Sequence, residues 1–170
     1  MPDPNTRTTP RKFRTEAGLV RYFLQCVREL RTPWDFTKAI KEWNYDNGIT
    51  DVLAFGPDGV LVAFEAKLRD WRRACLQGYR NTTFADFVYV VLPEDVAQRA
   101  RANEEYFARH GVGLCACTAT GIEVLLPAPR SEPLMTWTRD RAHAAFQGVG
   151  NESKRRSHGD SQTGVRPPQC

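Results

Sequence analysis

Two apolar segments joined by a tight turn constrain this chain most strongly. Residues 50–55 and 60–67 are separated by Gly56-Pro57-Asp58-Gly59, and glycine, proline and aspartate in this order are typical of a turn. The pattern predicts a β-hairpin. Its second segment is apolar except for Glu65 and Lys67, as expected of a central strand that is covered on both faces.

Three charged residues fall at one end of this hairpin. When the strands are paired through the turn, Phe55 faces roughly Val60, and Asp51 faces roughly Phe64 to Glu65. Side chains alternate along a strand, so Glu65 and Lys67 are expected on the same face. Because an isolated charge in an apolar strand is costly to desolvate, these charges are expected to have partners.

The chemistry of the trio favours a metal-assisted site. Two carboxylates at the end of a hairpin are hard oxygen ligands of the kind that hold Mg²⁺ together with a phosphate. A protonated lysine cannot ligate the metal, but it can bind the attacking water or a phosphate oxygen. The alternative is a chance spacing with surface salt bridges, since an acid two positions before a lysine is common. The shared hairpin end and the apolar setting favour the site.

Asp51, followed by Glu65-Ala66-Lys67 on the next strand, resembles the PD-(D/E)XK nuclease superfamily. In element order the resemblance covers residues 15–126. It implies a restriction-endonuclease-like α/β fold, with a central mixed β-sheet flanked by helices in the order α-β-β-β-α-β. It also implies that Asp51, Glu65 and the carbonyl of Ala66 bind Mg²⁺ or Mn²⁺, and that Lys67 positions the attacking water.

Two further positions bear on this resemblance. Thr50 stands where the superfamily has a proline before Asp51, a departure that it tolerates because the proline is not a ligand. Many members carry an acidic residue on the first helix, and Glu16 is the candidate here. By helical spacing Glu16 falls on the same side as Leu19 and Phe23. An anion in the first turn is also favoured by the helix dipole, so a catalytic and a structural role are both open.

The segment from Lys67 to about Asn81 is predicted to be a helix. Its arginines fall on one side and its small and apolar residues on the other, a pattern that suits phosphate binding beside the cut site. A solvated face with Asp70 and Asp86 as partners is the alternative. The candidate nucleic-acid-binding arginines are Arg69, Arg72, Arg73 and Arg80.

Gln77 is a further candidate on this helix. Gln77 and Tyr79 resemble the glutamine-to-tyrosine motif of RecB-like nucleases, although they are two residues apart here and the motif has a spacing of four.

One domain over residues 15–146 is predicted, with residues 1–14 and 147–170 as disordered basic ends. The remaining expected elements are a helix from Thr15 to about Leu30, a strand within 37–45, a strand 87–92, a helix 93–110, strands 112–118 and 122–126, and a short helix 138–146.

Charge and composition narrow the function. The net charge is +4, and the excess lies at the two ends, so the body is not uniformly basic. No apolar run approaches the roughly 20 residues of a membrane span. The first residues lack the apolar centre of a signal peptide, and the five cysteines do not suggest a secreted disulfide framework. We therefore expect no membrane partner and a cytoplasmic location.

The leading hypothesis is a Mg²⁺- or Mn²⁺-dependent nuclease, with DNA favoured over RNA. The resemblance implies 5′-phosphate and 3′-hydroxyl products, and a homodimer is a further expectation because cutting two strands takes two sites. One alternative is a non-catalytic nucleic-acid-binding or assembly module on the same fold. Another is a protein-interaction domain with a structural ion network at Asp51, Glu65 and Lys67.

Overall fold

The structure is a computed structural model that describes residues 11–46 and 48–155, with side chains described to residue 147. Six strands form one sheet in the order β1-β2-β3-β4-β5-β6. The helices are α1 (Glu16–Arg28), α2 (Trp71–Asn81), α3 (Glu94–Arg101), α4 (Glu104–Arg109) and α5 (Thr136–Arg155). The strands are β1 (Lys38–Tyr45), β2 (Gly48–Phe55), β3 (Leu61–Ala66), β4 (Phe87–Pro93), β5 (Gly113–Cys117) and β6 (Ile122–Leu126).

The predicted α/β class, mixed sheet and element order are confirmed. Strands β1, β2 and β3 are antiparallel, β3, β4 and β5 are parallel, and β6 returns antiparallel to β5. Side chains of α1 pack on one face of the sheet, and those of α2 to α5 pack on the other. The parallel centre is therefore covered on both sides, as its near-continuous apolar strands require.

Helix α1 starts as predicted and ends earlier than predicted. The hydroxyl of Thr15 accepts a hydrogen bond from the amide of Gly18 at 3.0 Å, which caps the helix. At the other end Leu30 has a left-handed φ of 54°, and the amide of Arg31 donates to the carbonyl of Cys26 at 2.8 Å. This is a Schellman-type ending, and it leaves Leu30 exposed and outside the apolar stripe.

The β2–β3 hairpin is confirmed, with a register one residue away from the predicted one. Phe55 pairs with Leu61, not with Val60. The turn contains a 3-10 segment at Pro57–Gly59, and the amide of Gly56 donates to the carbonyl of Val60 at 2.8 Å. Val60 therefore belongs to the turn.

Strand β1 has a break that explains its poor alternation. Ile40 and Trp43 are three residues apart, yet both contact the core beneath α2. Between them Glu42 has a left-handed φ of 53°. Trp43, which follows it, lies on the same face as Ile40, although strict alternation places the two on opposite faces. Period-2 analysis is therefore misleading here.

The predicted helix 93–110 is wrong as one element, because the chain forms α3 and α4. Asn103 lies between them with φ −106° and ψ 39°, and its amide donates to the carbonyl of Ala100 at 2.9 Å. Its side chain also donates to that carbonyl at 3.4 Å. An asparagine that bonds the preceding turn in this way interrupts a helix.

The last helix is longer than predicted, since α5 continues to Arg155. Residues 147–155 belong to this helix, so the disorder expected there is wrong. Residues 1–10 and 156–170 lie outside the described residues, and the disorder expected for them stays a prediction. Within the described part of the chain, no helix combines the length and apolar character that crossing a membrane demands.

Candidate active site

Asp51 lies where β2 and β3 stop pairing through their backbones. The last backbone pair at this end of the hairpin is Val52 with Phe64. Beyond it a carboxylate oxygen of Asp51 accepts a hydrogen bond from the amide of Ala66 at 2.8 Å. The side chain thus satisfies a main-chain donor at the strand end, which holds the half-buried Asp51 carboxylate beside the carboxyl end of β3.

Glu65 is the next residue of the site, and it is 1% exposed. Its Oε1 accepts a hydrogen bond of 2.7 Å from the side-chain amide of Asn81 on α2. The same nitrogen donates to the hydroxyl of Thr50 at 3.1 Å, and the hydroxyl of Tyr45 donates to the Asn81 oxygen at 2.8 Å. We call Tyr45, Thr50, Glu65 and Asn81 the Asn81 network.

Burial, followed by the negative charge of Asp51, raises the pKa of Glu65 to about 7. The hydrogen bonds from Asn81 and Thr50 and the positive charge of Lys67 act in the opposite direction. Burial dominates because it removes the water that would stabilise the ionised form.

A second buried acid shows what is unusual about Glu65. Asp86 is 2% exposed, and its carboxylate pairs with Arg139 at 2.9 Å and with Arg130 at 3.3 Å. It also accepts from the amide of Leu61 at 2.9 Å. Glu65 forms no salt bridge within the described residues. Its charge is compensated less completely than that of Asp86.

Lys67 follows directly after β3, and its ammonium is turned towards α1. Its Nζ lies 3.1 Å from Oε2 of Glu16 and donates to the carbonyl of Ala66 at 3.2 Å. Its side chain is 12% exposed. We expected Lys67 on the face of Glu65. Since β3 ends at Ala66, strand alternation no longer dictates the direction of Lys67, and its ammonium contacts a helix that packs on the opposite face.

Glu16 lies at the start of α1, with its side chain 49% exposed. It is therefore not a buried acid of the apolar stripe, but it contacts Lys67 as described. Within the described residues, no salt bridge joins Asp51, Glu65 and Lys67 to one another. The ion network that the protein-interaction alternative expected among these three is not seen in this part of the chain.

The oxygen atoms at this corner suit a hard divalent cation. They are the carboxylates of Asp51 and Glu65 and the carbonyl of Ala66. Among the residues that the structure describes, no group of three or more His, Cys, Asp or Glu side chains gathers to hold a metal. Mg²⁺ is commonly held by one or two carboxylates, with water and phosphate oxygens completing its shell, and the residues present fit that mode.

The predicted arginine stripe is interrupted where α2 begins. Asp70 caps the helix by accepting from the amide of Arg73 at 3.1 Å, so Arg69 lies before α2 and not on it. Arg72, Arg73 and Arg80 are exposed on the helix. In the described part of the chain none of these four arginines forms a salt bridge, and the acidic partners considered for them, Asp70 and Asp86, are engaged elsewhere.

Gln77 is half-buried on α2. Its Oε1 is shielded from solvent and has no hydrogen-bond partner within the described residues. Its assignment to nucleic-acid binding stays a prediction.

Comparison with known proteins establishes the fold and leaves the activity open. No known family and no curated protein matches the sequence. The SPO1766 protein of unknown function from Silicibacter pomeroyi superposes with a TM-score of 0.57 at 17% identity, over 89% of this chain and 98% of that chain. A repair endonuclease from Pyrococcus abyssi gives a TM-score of 0.33 at 19% identity, over 56% of this chain and 46% of that chain. The first likeness shows a shared fold, and the second is too low to support an argument.

The polar residues that surround Glu65 were not predicted from the sequence. Asn81 is buried, and by helical spacing it falls beside Ala74 on the core-facing side of α2. A polar residue on that side was the available signal. Thr50 was noted only as the replacement of a proline, and Tyr45 gave no signal, because its role depends on the break in β1.

Proposed function

We propose that this protein is a metal-dependent nuclease that hydrolyses phosphodiester bonds. The observation that supports the proposal most strongly is the buried Glu65 carboxylate, which lies near Asp51 and has no ion-pair partner among the described residues. Two acids in this relation repel each other when both are ionised. A divalent cation bound by these carboxylates would supply the missing positive charge and could bind a substrate phosphate.

Asp51, Glu65 and the carbonyl of Ala66 are the groups that would hold the cation. Bound Mg²⁺ or Mn²⁺ supplies charge neutralisation at the phosphate and a lower pKa for the attacking water. The hydrogen bond between Asp51 and the Ala66 amide keeps the first carboxylate at the strand end. The hydrogen bond from Asn81 holds the second carboxylate at 2.7 Å.

Lys67 takes the role of a positioning group for the attacking water or a phosphate oxygen. Its contacts with Glu16 and with the Ala66 carbonyl restrict where the ammonium can lie. Glu16 contributes by holding Lys67. In-line attack by the positioned water leaves a 5′-phosphate and a 3′-hydroxyl.

The exposed arginines favour nucleic acid as the substrate, with DNA preferred over RNA. Arg69, Arg72, Arg73 and Arg80 carry charges that no acid neutralises within the described part of the chain, and guanidinium groups bind phosphates with good geometry. Gln77 is retained as a candidate contact. We also propose a homodimer, in which two active sites cut the two strands of the nucleic acid. The proposed location is cytoplasmic.

A cleavage panel tests the proposal. Plasmid, single-stranded DNA and structured RNA are incubated with wild type in Mg²⁺, Mn²⁺ or EDTA, beside Asp51→Asn and Glu65→Gln. We expect substrate loss that needs the metal and that both substitutions abolish. Arg99→Ala is the control, since it removes a charge on α3 whose one ion pair within the described residues is with exposed Asp95. Cleavage that persists in EDTA or in both site variants would contradict the proposal.

The non-catalytic binding module remains the second candidate, and the same unneutralised arginines favour it. In that case folded wild type binds nucleic acid without cleaving it, and Glu65→Gln leaves binding unchanged. Gel-shift titration at several salt concentrations then distinguishes phosphate contacts from base contacts.

A further inference from the structure

A groove of about 700 Å³ opens beside the C-terminal end of α2. Residues lining it include Tyr45, Tyr79, Arg80, Arg109, His110 and Leu134. We call it the Tyr79 groove. Its volume lies within the range of small-ligand sites, about 300–1,000 Å³, so it is too small for a double helix to enter.

The groove combines positive charge with exposed apolar surface. Three arginines and one acid, Glu132, line it. Arg130 is paired with Asp86, whereas Arg80 and Arg109 form no salt bridge in the described part of the chain. Tyr79 is 56% exposed. A free guanidinium next to an exposed ring suits a ligand that carries both phosphate and a planar base.

The Tyr79 groove also adjoins the candidate active site. Tyr45 lines the groove, and its hydroxyl donates to Asn81, which in turn donates to Glu65. One hydrogen-bonded residue thus separates a groove wall from the buried carboxylate. The groove and the proposed site are therefore linked through the Asn81 network.

We infer that the Tyr79 groove binds an unpaired segment of nucleic acid, with phosphates on Arg80 and Arg109 and a base stacked on Tyr79. Bases within a duplex are stacked on each other and offer no free face, whereas single strands stack on exposed aromatic side chains. The inference deepens the proposed function by naming the substrate class as single-stranded nucleic acid, and it rests on that function for its biological meaning.

Fluorescence anisotropy in EDTA tests this inference without cleavage. The probes are labelled oligo-dT and oligo-rU of about 20 nucleotides, which exceeds the site sizes of about 4–16 nucleotides known for strand-binding domains, and a duplex of equal length. We expect Tyr79→Ala to weaken single-strand binding about tenfold, and Tyr79→Phe to retain it. Comparison of oligo-dT with oligo-rU shows whether the groove distinguishes DNA from RNA.

Two further variants and a control complete the design. Arg80→Ala and Arg109→Ala should each weaken binding. Each should also reduce the slope of the logarithm of affinity against the logarithm of salt concentration by about 1, as expected for the loss of one phosphate contact. Trp137→Ala is the matched control, because Trp137 is an exposed aromatic residue, 47% exposed, that does not line the groove. If Tyr79→Ala lowers the melting temperature of the protein, single-strand binding by the two arginine variants decides the outcome.

Failure of this inference is distinguishable from failure of the proposed function. Wild-type strand binding in EDTA that Tyr79→Ala weakens supports the groove even when no metal gives cleavage. Strand binding that is absent, or that is unchanged in Tyr79→Ala, Arg80→Ala and Arg109→Ala, overturns the groove even when wild type cleaves. Equal loss of duplex and single-strand binding in Tyr79→Ala also overturns it, since stacking predicts a selective loss.

Discussion

The side-chain amide of Asn81 lies 2.7 Å from the buried carboxylate of Glu65 and connects the end of α2 to the end of β3. It also donates to Thr50 and accepts from Tyr45. One asparagine therefore satisfies polar groups from three strands, and its loss leaves several of them without a partner in the core.

Asn81→Ala should lower stability by about 2–3 kcal/mol, because buried polar groups that lose their partners keep their full desolvation cost. Urea unfolding at pH 7 measures the change. Asn103→Ala is the control, since that half-buried asparagine makes one long side-chain bond of 3.4 Å. A loss for Asn81→Ala no larger than for Asn103→Ala would show that the Asn81 network is not important for stability.

The raised pKa of Glu65 predicts that metal-free protein becomes less stable as the pH rises. In the folded state Glu65 keeps its proton up to a pKa of about 7, whereas in the unfolded chain it loses it near its ordinary value of about 4.3. The folded state therefore binds more protons between these values, and the free energy of unfolding falls across that window by an amount on the order of 3 kcal/mol.

Urea denaturation at several pH values between 5 and 8, in EDTA, measures how the free energy of unfolding depends on pH. Glu65→Gln cannot ionise, so the difference between wild type and this variant isolates the contribution of Glu65. A difference that stays constant across the range is incompatible with the assignment.

Asp86→Asn and Glu65→Gln should affect stability differently, although both residues are buried acids. Asp86→Asn leaves Arg139 without its partner at 2.9 Å and should cost about 3 kcal/mol. Glu65→Gln removes a charge that no cation pairs with in the described residues, and at pH 8 it should be neutral or stabilising. Thermal melting in EDTA compares the two, and equal losses would indicate that Glu65 belongs to a structural network.

Glu16→Gln should lower the cleavage rate with little change in stability. The Lys67–Glu16 pair is partly exposed, and such pairs contribute about 1 kcal/mol or less. Its proposed importance is to restrict the position of the ammonium. Asp95→Asn is the matched control, because it breaks an exposed pair with Arg99 on α3. The assignment fails if both substitutions leave the rate at the wild-type level.

Local patterns predicted the elements that depend on local chemistry. Apolar periodicity and the cap at Thr15 indicated α1, and the residues between Phe55 and Leu61 indicated the hairpin. The register was wrong by one because Val60 belongs to the turn, directly after the 3-10 segment, and side-chain alternation does not encode that. The division of α3 from α4 depends on how the side chain of Asn103 bonds the preceding turn.

The site was predictable in part. The resemblance named Glu16 and Lys67 separately as site residues. It did not predict their contact, which joins residues 51 positions apart. The Asn81 network was not predicted, because it needs Glu42 to break the alternation of β1 and bring Tyr45 towards α2. Such long-range polar contacts depend on the folded backbone and leave little trace in a single sequence.

Cleavage by Lys67→Ala, compared with Lys38→Ala, tests the central claim most directly. Lys38 also donates to a backbone carbonyl, that of Phe146 at 2.8 Å. It pairs with Phe55 in the sheet, however, and therefore lies beside the turn, at the other end of the hairpin from Lys67. With Mg²⁺ we predict that Lys67→Ala cleaves about a hundredfold or more slowly than wild type. Lys38→Ala should cleave at the wild-type rate, and Lys67→Ala should still bind nucleic acid in EDTA. Metal-dependent cleavage at the wild-type rate by folded Lys67→Ala would contradict the account.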